Sequence, residues 1–193
     1  MTDRTANAVI RNETGVDIGS VSLIHKYSDN YVDTKQWDGI LPTGSTTDPA
    51  LVVRYHTGFL TTGMDWWRVT WVNADKQLCM TDPNNFQGIF NMVEGLLKDN
   101  ASWAELKLLQ EAPESGEGAP FLVAGAGVIK ALDAFVLNNE STVGFKENML
   151  RSDDAGQTVT VTLKADKTVT ISSPSGSSDT VWTVMDPTSG QGA

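Results

Sequence analysis

Asp65 stands beside Trp66 and Arg68 in the stretch TTGMDWWRVTWV (61–72), and Tyr27, Tyr31 and Trp37 fall in segments that can approach it. A carboxylic acid in an aromatic pocket can protonate an olefin or epoxide while ring faces steady the developing cation. That chemistry suits isomerisation or cyclisation of an apolar small molecule. Asp65 would be the general acid, with Tyr27, Tyr31, Trp37, Trp66 and Arg68 as ligand-binding residues between sheet and helices. The structural alternative is simpler: Asp65 follows Gly63-Met64 at a strand start, where a carboxylate fixes a turn.

Other chemistries find fewer parts. His25 and His56 are the only histidines, both in strand-like runs, and no G-x-S-x-G accompanies them. His25 alternates with Leu23 and Tyr27, the pattern of a hydrogen-bonded wall residue. Asp29, Asn30 and Asp33 could offer oxygens to Ca²⁺, yet the Gly and closing Glu of an EF-hand are absent, and an Asx-stabilised turn accounts for them. Gly125-Ala-Gly127 before Lys130 lies inside a helical pattern, without the strand that precedes a phosphate loop. The expectation is no metal and no cofactor.

The formal net charge of −10 argues against nucleic acid, which is held by clustered Lys and Arg. Cys79 is the single cysteine, so no intrachain disulfide forms and a small buried hydrophobe is expected. The opening MTDRTANAV has no apolar run of the signal-peptide kind, so the expected compartment is cytoplasmic and the sequons at Asn12, Asn100 and Asn139 carry no glycan.

Two periods share the chain. Up to about residue 81, the runs NAVIRN, SVSLIHKY, ALVVRYH, DWWRVTWV and KQLCMT read as strands separated by turn residues. Apolar residues then recur three and four apart from Phe86 to Leu97, predicting a helix, and the capping box Ser102-x-x-Glu105 opens a second. Pro120 starts a third, FLVAGAGVIKALDAFVL, which ends at Asn138-Asn139. With 17 apolar-rich residues it is short for a membrane span of about 20, and Lys130 and Asp133 can pair at i, i+3. Strands return in the hairpin Thr158–Leu163 and Val169–Ile171, then, after the loop 173–178, in Val181–Val184.

In an extended strand Trp67, Val69 and Trp71 share one face, the core, and Trp66, Arg68 and Thr70 the other. Trp66 then stacks under the guanidinium, packs beneath the helices, or meets a partner.

The segments IHKYSDNY (24–31), HTGFLTTGMDWWRVTW (56–71), TDPNNFQGI (81–89) and ESTVGFKENMLRSDD (140–154) resemble the PUD family, named for proteins abundant in long-lived nematodes and found also in fungi. The resemblance implies an aegerolysin-like antiparallel β-sandwich, nematode members that pair as dimers, and fungal members that carry a helical insertion. It supplies no catalytic motif. Aegerolysins bind membrane lipid, which makes a lipid surface a candidate partner.

The expected architecture is one mainly β domain over 1–193 with about three helices inserted at 86–140. The expected function is a non-catalytic binding protein that self-associates as a homodimer, because its apolar third helix needs cover. The alternatives are an isomerase or cyclase acting through Asp65, and lipid binding.

Overall fold

The computed structural model describes residues 1–28, 30–58, 63–82, 120–138 and 143–185. The strands are β1 (Thr2–Glu13), β2 (Ile18–Tyr27), β3 (Tyr31–Leu41), β4 (Leu51–Thr57), β5 (Asp65–Val72), β6 (Leu78–Thr81), β7 (Lys146–Glu147), β8 (Thr158–Lys164), β9 (Thr168–Ser173) and β10 (Gly176–Met185). One helix, α1 (Pro120–Asn138), precedes β7. The expected helices at 86–97 and from Ser102 fall outside the described residues.

The protein is mainly β. Hydrogen bonds run in the order β3-β2-β5-β6-β10-β9-β8-β1-β4, with β7 on the side of β5. The ends of the path, β3 and β4, lie side by side, so the sheet curls into a nearly closed barrel. β10 makes the turn of the corner: Gly176–Val181 pairs with β9 and Trp182–Met185 with β6.

Three expectations need correction. β1 and β8 run parallel, so the sheet is not wholly antiparallel; the chain returns to β1 by a long connection, which leaves strand direction free where a tight hairpin would fix it. β3, a strand of 11 residues that carries Tyr31 and Trp37, is absent from the expected strand runs. Its Asp33, Asp38 and Gly39 look like turn residues, and its place at the end of the path leaves most positions partly exposed, which erases the alternation. The expected loop at 173–178 shortens to a Pro174-Ser175 turn, because Ser173 already pairs with Gly176.

The inner face holds the larger core. Trp67, Val69 and Trp71 of β5 point inward, the two indoles with no exposure, and Trp182 packs edge-on to Trp71 at 5.3 Å. Burying aromatics of this size contributes a few kcal/mol each, so packing accounts for both. On β2, Ile18, Val21 and Leu23 all join this core although the first two are three apart. A β-bulge between Gly19 and Ser22, with Ser20 at φ 48°, resets the alternation.

The outer face of β2 and β5 is covered by α1. Val128, Ile129, Leu132 and Val136 pack on Ile24, Val72, Met80 and Leu78, with half-buried Trp66 at the margin. Close approach needs Gly125, where an added Cβ would come within 2.2 Å of a Val72 methyl. The other side of α1 presents Gly127, Lys130, Ala134 and Asn138 to solvent. The cover that the apolar helix requires therefore comes from its own sheet. No helix among the described residues is long and apolar enough to cross a membrane.

Candidate functional site

The sheet register divides the candidate residues between two faces and two ends of the barrel. Tyr27, on β2, pairs with Asp65 on one side and Tyr31 on the other; His25 pairs with Trp67 and Asp33. Asp65 points inward and is 1% exposed. Its Oδ1 lies 2.8 Å from His25 Nε2, and its Oδ2 accepts the Leu150 backbone N–H at 2.8 Å. Both oxygens are thus engaged, Oδ1 by His25 of β2 and Oδ2 by the segment after β7, which it holds against the barrel.

His25, fully buried, tilts against the Trp67 ring at 4.4 Å and turns Nδ1 to Asp33 Oδ2 at 3.5 Å. That distance is long for a hydrogen bond, and among the described residues Nδ1 has no closer partner. Burial alone would push the imidazole pKa down; the hydrogen bonds and charges of Asp33 and Asp65 outweigh it and hold it above 6.5. Asp33 completes the chain across the gap between β3 and β4. Its Oδ2 accepts the Arg54 N–H at 2.8 Å, and its Oδ1 meets the Arg54 guanidinium at 2.6–2.7 Å. Burial would raise its pKa, but His25 and Arg54 hold it below the ordinary carboxylate value. Asp33 is therefore engaged with cations of this chain, and Asn30 serves the turn through its N–H to Tyr27 O. Asp29 lies outside the described residues. Among the described residues no cluster of three or more potential metal ligands occurs.

Tyr27, Tyr31 and His56 form a second cluster at the same end, with ring centroids 5.1–6.3 Å apart. Tyr31 Oη and Asp3 Oδ1 each lie 3.0 Å from His56 Nε2, while Tyr27 O–H donates to the His56 carbonyl at 3.3 Å. Burial, then the Asp65 charge, pushes the Tyr27 phenol pKa up.

Trp66 and Arg68 face away from all of this, beneath α1. Arg68 is fully buried and donates from Nη1 to Asp133 Oδ1 at 2.7 Å; Asp133 Oδ2 accepts Ser22 O–H at 2.5 Å. Asp133 thus pairs with Arg68, while the expected partner Lys130 is exposed. Arg68 Nε and Nη2 have no hydrogen-bond partner among the described residues. Burial lowers the guanidinium pKa and Asp133 opposes it. Gly125-Ala-Gly127 lies inside α1. Cys79 is buried, its thiol pushed by burial up to about 12, beyond the range of a reactive thiolate.

Trp37 is at the other end of β3. It pairs with Val21, six residues along β2 from the rung of Asp65, about 20 Å away at the rise of a strand. Asp65, Trp37 and the Trp66–Arg68 pair consequently do not share one pocket. Trp37 instead walls an open groove of about 480 Å³, lined also by Val21, Asp38, Ile40, Pro42, Thr46 and Asp48. Its indole N–H donates to the Pro49 carbonyl at 3.0 Å, which fixes the ring. Asp38 and Asp48 went unnoticed in the sequence because the partner strand β3 did. Asp33 was legible in principle: it and His25 are equidistant from position 29, so a hairpin centred there must pair them.

The sequence model of the family described as Up-Regulated in long-lived daf-2 matches residues 2–182. None of the curated proteins matches the chain.

Proposed function

This chain belongs to the family Up-Regulated in long-lived daf-2, the PUD family, and from that premise we propose that it is a non-catalytic binding protein whose ligand site is the Trp37 groove. The observation that carries this reading is the contrast between the two kinds of candidate residue. Asp65, the one proposed acid, has both carboxylate oxygens engaged by His25 and Leu150 and almost no exposure. Trp37 stands partly open beside Ile40, with side chains able to orient a ligand around it. A groove of this volume falls in the range used for small molecules. The aegerolysin-like sandwich, as the parent of this barrel, is part of the same proposal and rests on family resemblance.

Self-association is a separate proposal, and it no longer draws on α1, whose apolar face lies on β2 and β5. Sedimentation giving a monomer at micromolar concentration would remove it. The binding reading is tested by titrating a fragment library while following backbone amide shifts. Shifts gathered on 37–48 are expected, and they should vanish in Trp37→Ala. Shifts gathered around Asp65 or His56 would overturn the assignment.

A further inference from the structure

We propose that the Trp37 groove takes a free small organic cation, an alkylammonium of about the size of choline; this deepens the binding reading and rests on it. Asp38 and Asp48 both line the groove, both are exposed, and neither lies within ion-pair distance of a Lys or Arg among the described residues. Asp38 Oδ1 accepts one hydrogen bond, from Gln36 Nε2 at 2.8 Å, which leaves its charge uncompensated. On a chain of net charge −10 these carboxylates repel an anionic ligand and attract a cationic one.

The indole supplies the second element. Tryptophan is the aromatic side chain best suited to a cation, and quaternary ammonium groups are the ligands for which such faces are most used. The Pro49 hydrogen bond keeps the Trp37 ring from rotating away. Its field already attracts a cation of this chain: Lys35 Nζ lies 5.4 Å from the ring centroid and donates to the Ala50 carbonyl at 3.4 Å. Lys35 does not line the groove, and Lys130 lines an adjacent hollow that shares Asp38. Ile40 and Pro42, both exposed, give apolar surface against which alkyl groups can lie.

The experiment compares choline with dimethylbutanol, the isostere in which carbon replaces the charged nitrogen, by amide shift titration of the full chain. Choline should bind about tenfold more tightly. Trp37→Ala should weaken it about tenfold, and Asp38→Asn and Asp48→Asn about two- to fivefold each, with retained amide spectra showing that the fold survives. Lys35→Gln, which removes the nearest positive charge, should strengthen it. Equal binding of both molecules in the groove would overturn the charge inference and leave the groove reading standing. Choline shifts located elsewhere would overturn both. Co-sedimentation with phosphatidylcholine vesicles, without any response to free choline, would overturn the proposal in favour of a membrane surface.

Discussion

Strands β2 and β5 bury a basic side chain on each of their two faces, and the two are held differently. Inside, His25 sits between a carboxylate from each flanking strand, and each carboxylate has further donors of its own. Outside, Arg68 has one carboxylate, supplied by α1, and among the described residues its Nε and Nη2 meet no acceptor, whereas of the two His25 nitrogens only Nδ1 lacks a full hydrogen bond. Desolvation is costly for both groups. A sheet repays it by register, because neighbouring rungs deliver side chains to fixed positions on both sides. A docked helix delivers one side chain per turn to a given spot, and donors that it misses stay unfilled at a cost of about 1–3 kcal/mol. The inner clamp therefore belongs to the barrel itself, whereas the outer pair fixes where α1 lies and leaves its hold to apolar packing.

The sharpest way to break that contrast is at Asp65. Asp65→Ala leaves the Leu150 N–H without an acceptor and His25 with one distant carboxylate, and a loss of about 4–5 kcal/mol is expected in chemical denaturation. Hydrogen exchange should show lower protection across β2, β3 and β5 together. A loss under about 1 kcal/mol would mean that the clamp is dispensable.

A smaller effect is expected on the other face. Asp133→Ala strands the Arg68 guanidinium and should cost about 3 kcal/mol, with faster exchange confined to α1 and its footprint. Adding Arg68→Met to it should restore most of the loss, since a methionine needs no partner and fills similar volume. If the double variant is as weak as the single one, the pair does more for this face than fix the position of the helix.

Much of this contrast could be read from the chain, and the unreadable part has a physical cause. The alternation of Trp67, Val69 and Trp71 against Trp66 and Arg68 is local, and it assigned both faces of β5 correctly. Pro120 and Asn138 mark the ends of α1 because capping chemistry is also local. Asp133 pairing with Arg68 across 65 positions carries no local signal, and Lys130, three residues away, offered a nearer partner that solvent took instead. β3 was missed for a related reason. Its side chains reach over to β4 and the residues just before it, as in Asp33 to Arg54, Lys35 to Ala50 and Trp37 to Pro49, so polar residues replace the apolar alternation that identifies a strand. The Trp37 groove was hidden with it.

The smallest expected effect separates the two cations by pH. His25 has a folded pKa above its ordinary 6.5, so its stabilising contribution is fully present below about pH 6.5 and is lost as the pH rises through the folded value. Arg68 stays charged throughout that range, and Cys79 and Tyr55, whose pKa values burial pushes up to about 12, act only from about pH 9 upward. Stability of the wild-type chain should therefore fall gently as the pH rises above about 6.5, with the inner strands opening before α1 in hydrogen exchange. His25→Gln should be weaker at pH 6 but flat over the same rise. An unchanged slope in that variant would assign the titration to another group. It would also mean that the barrel interior, like the seat of the helix, stands without its cation.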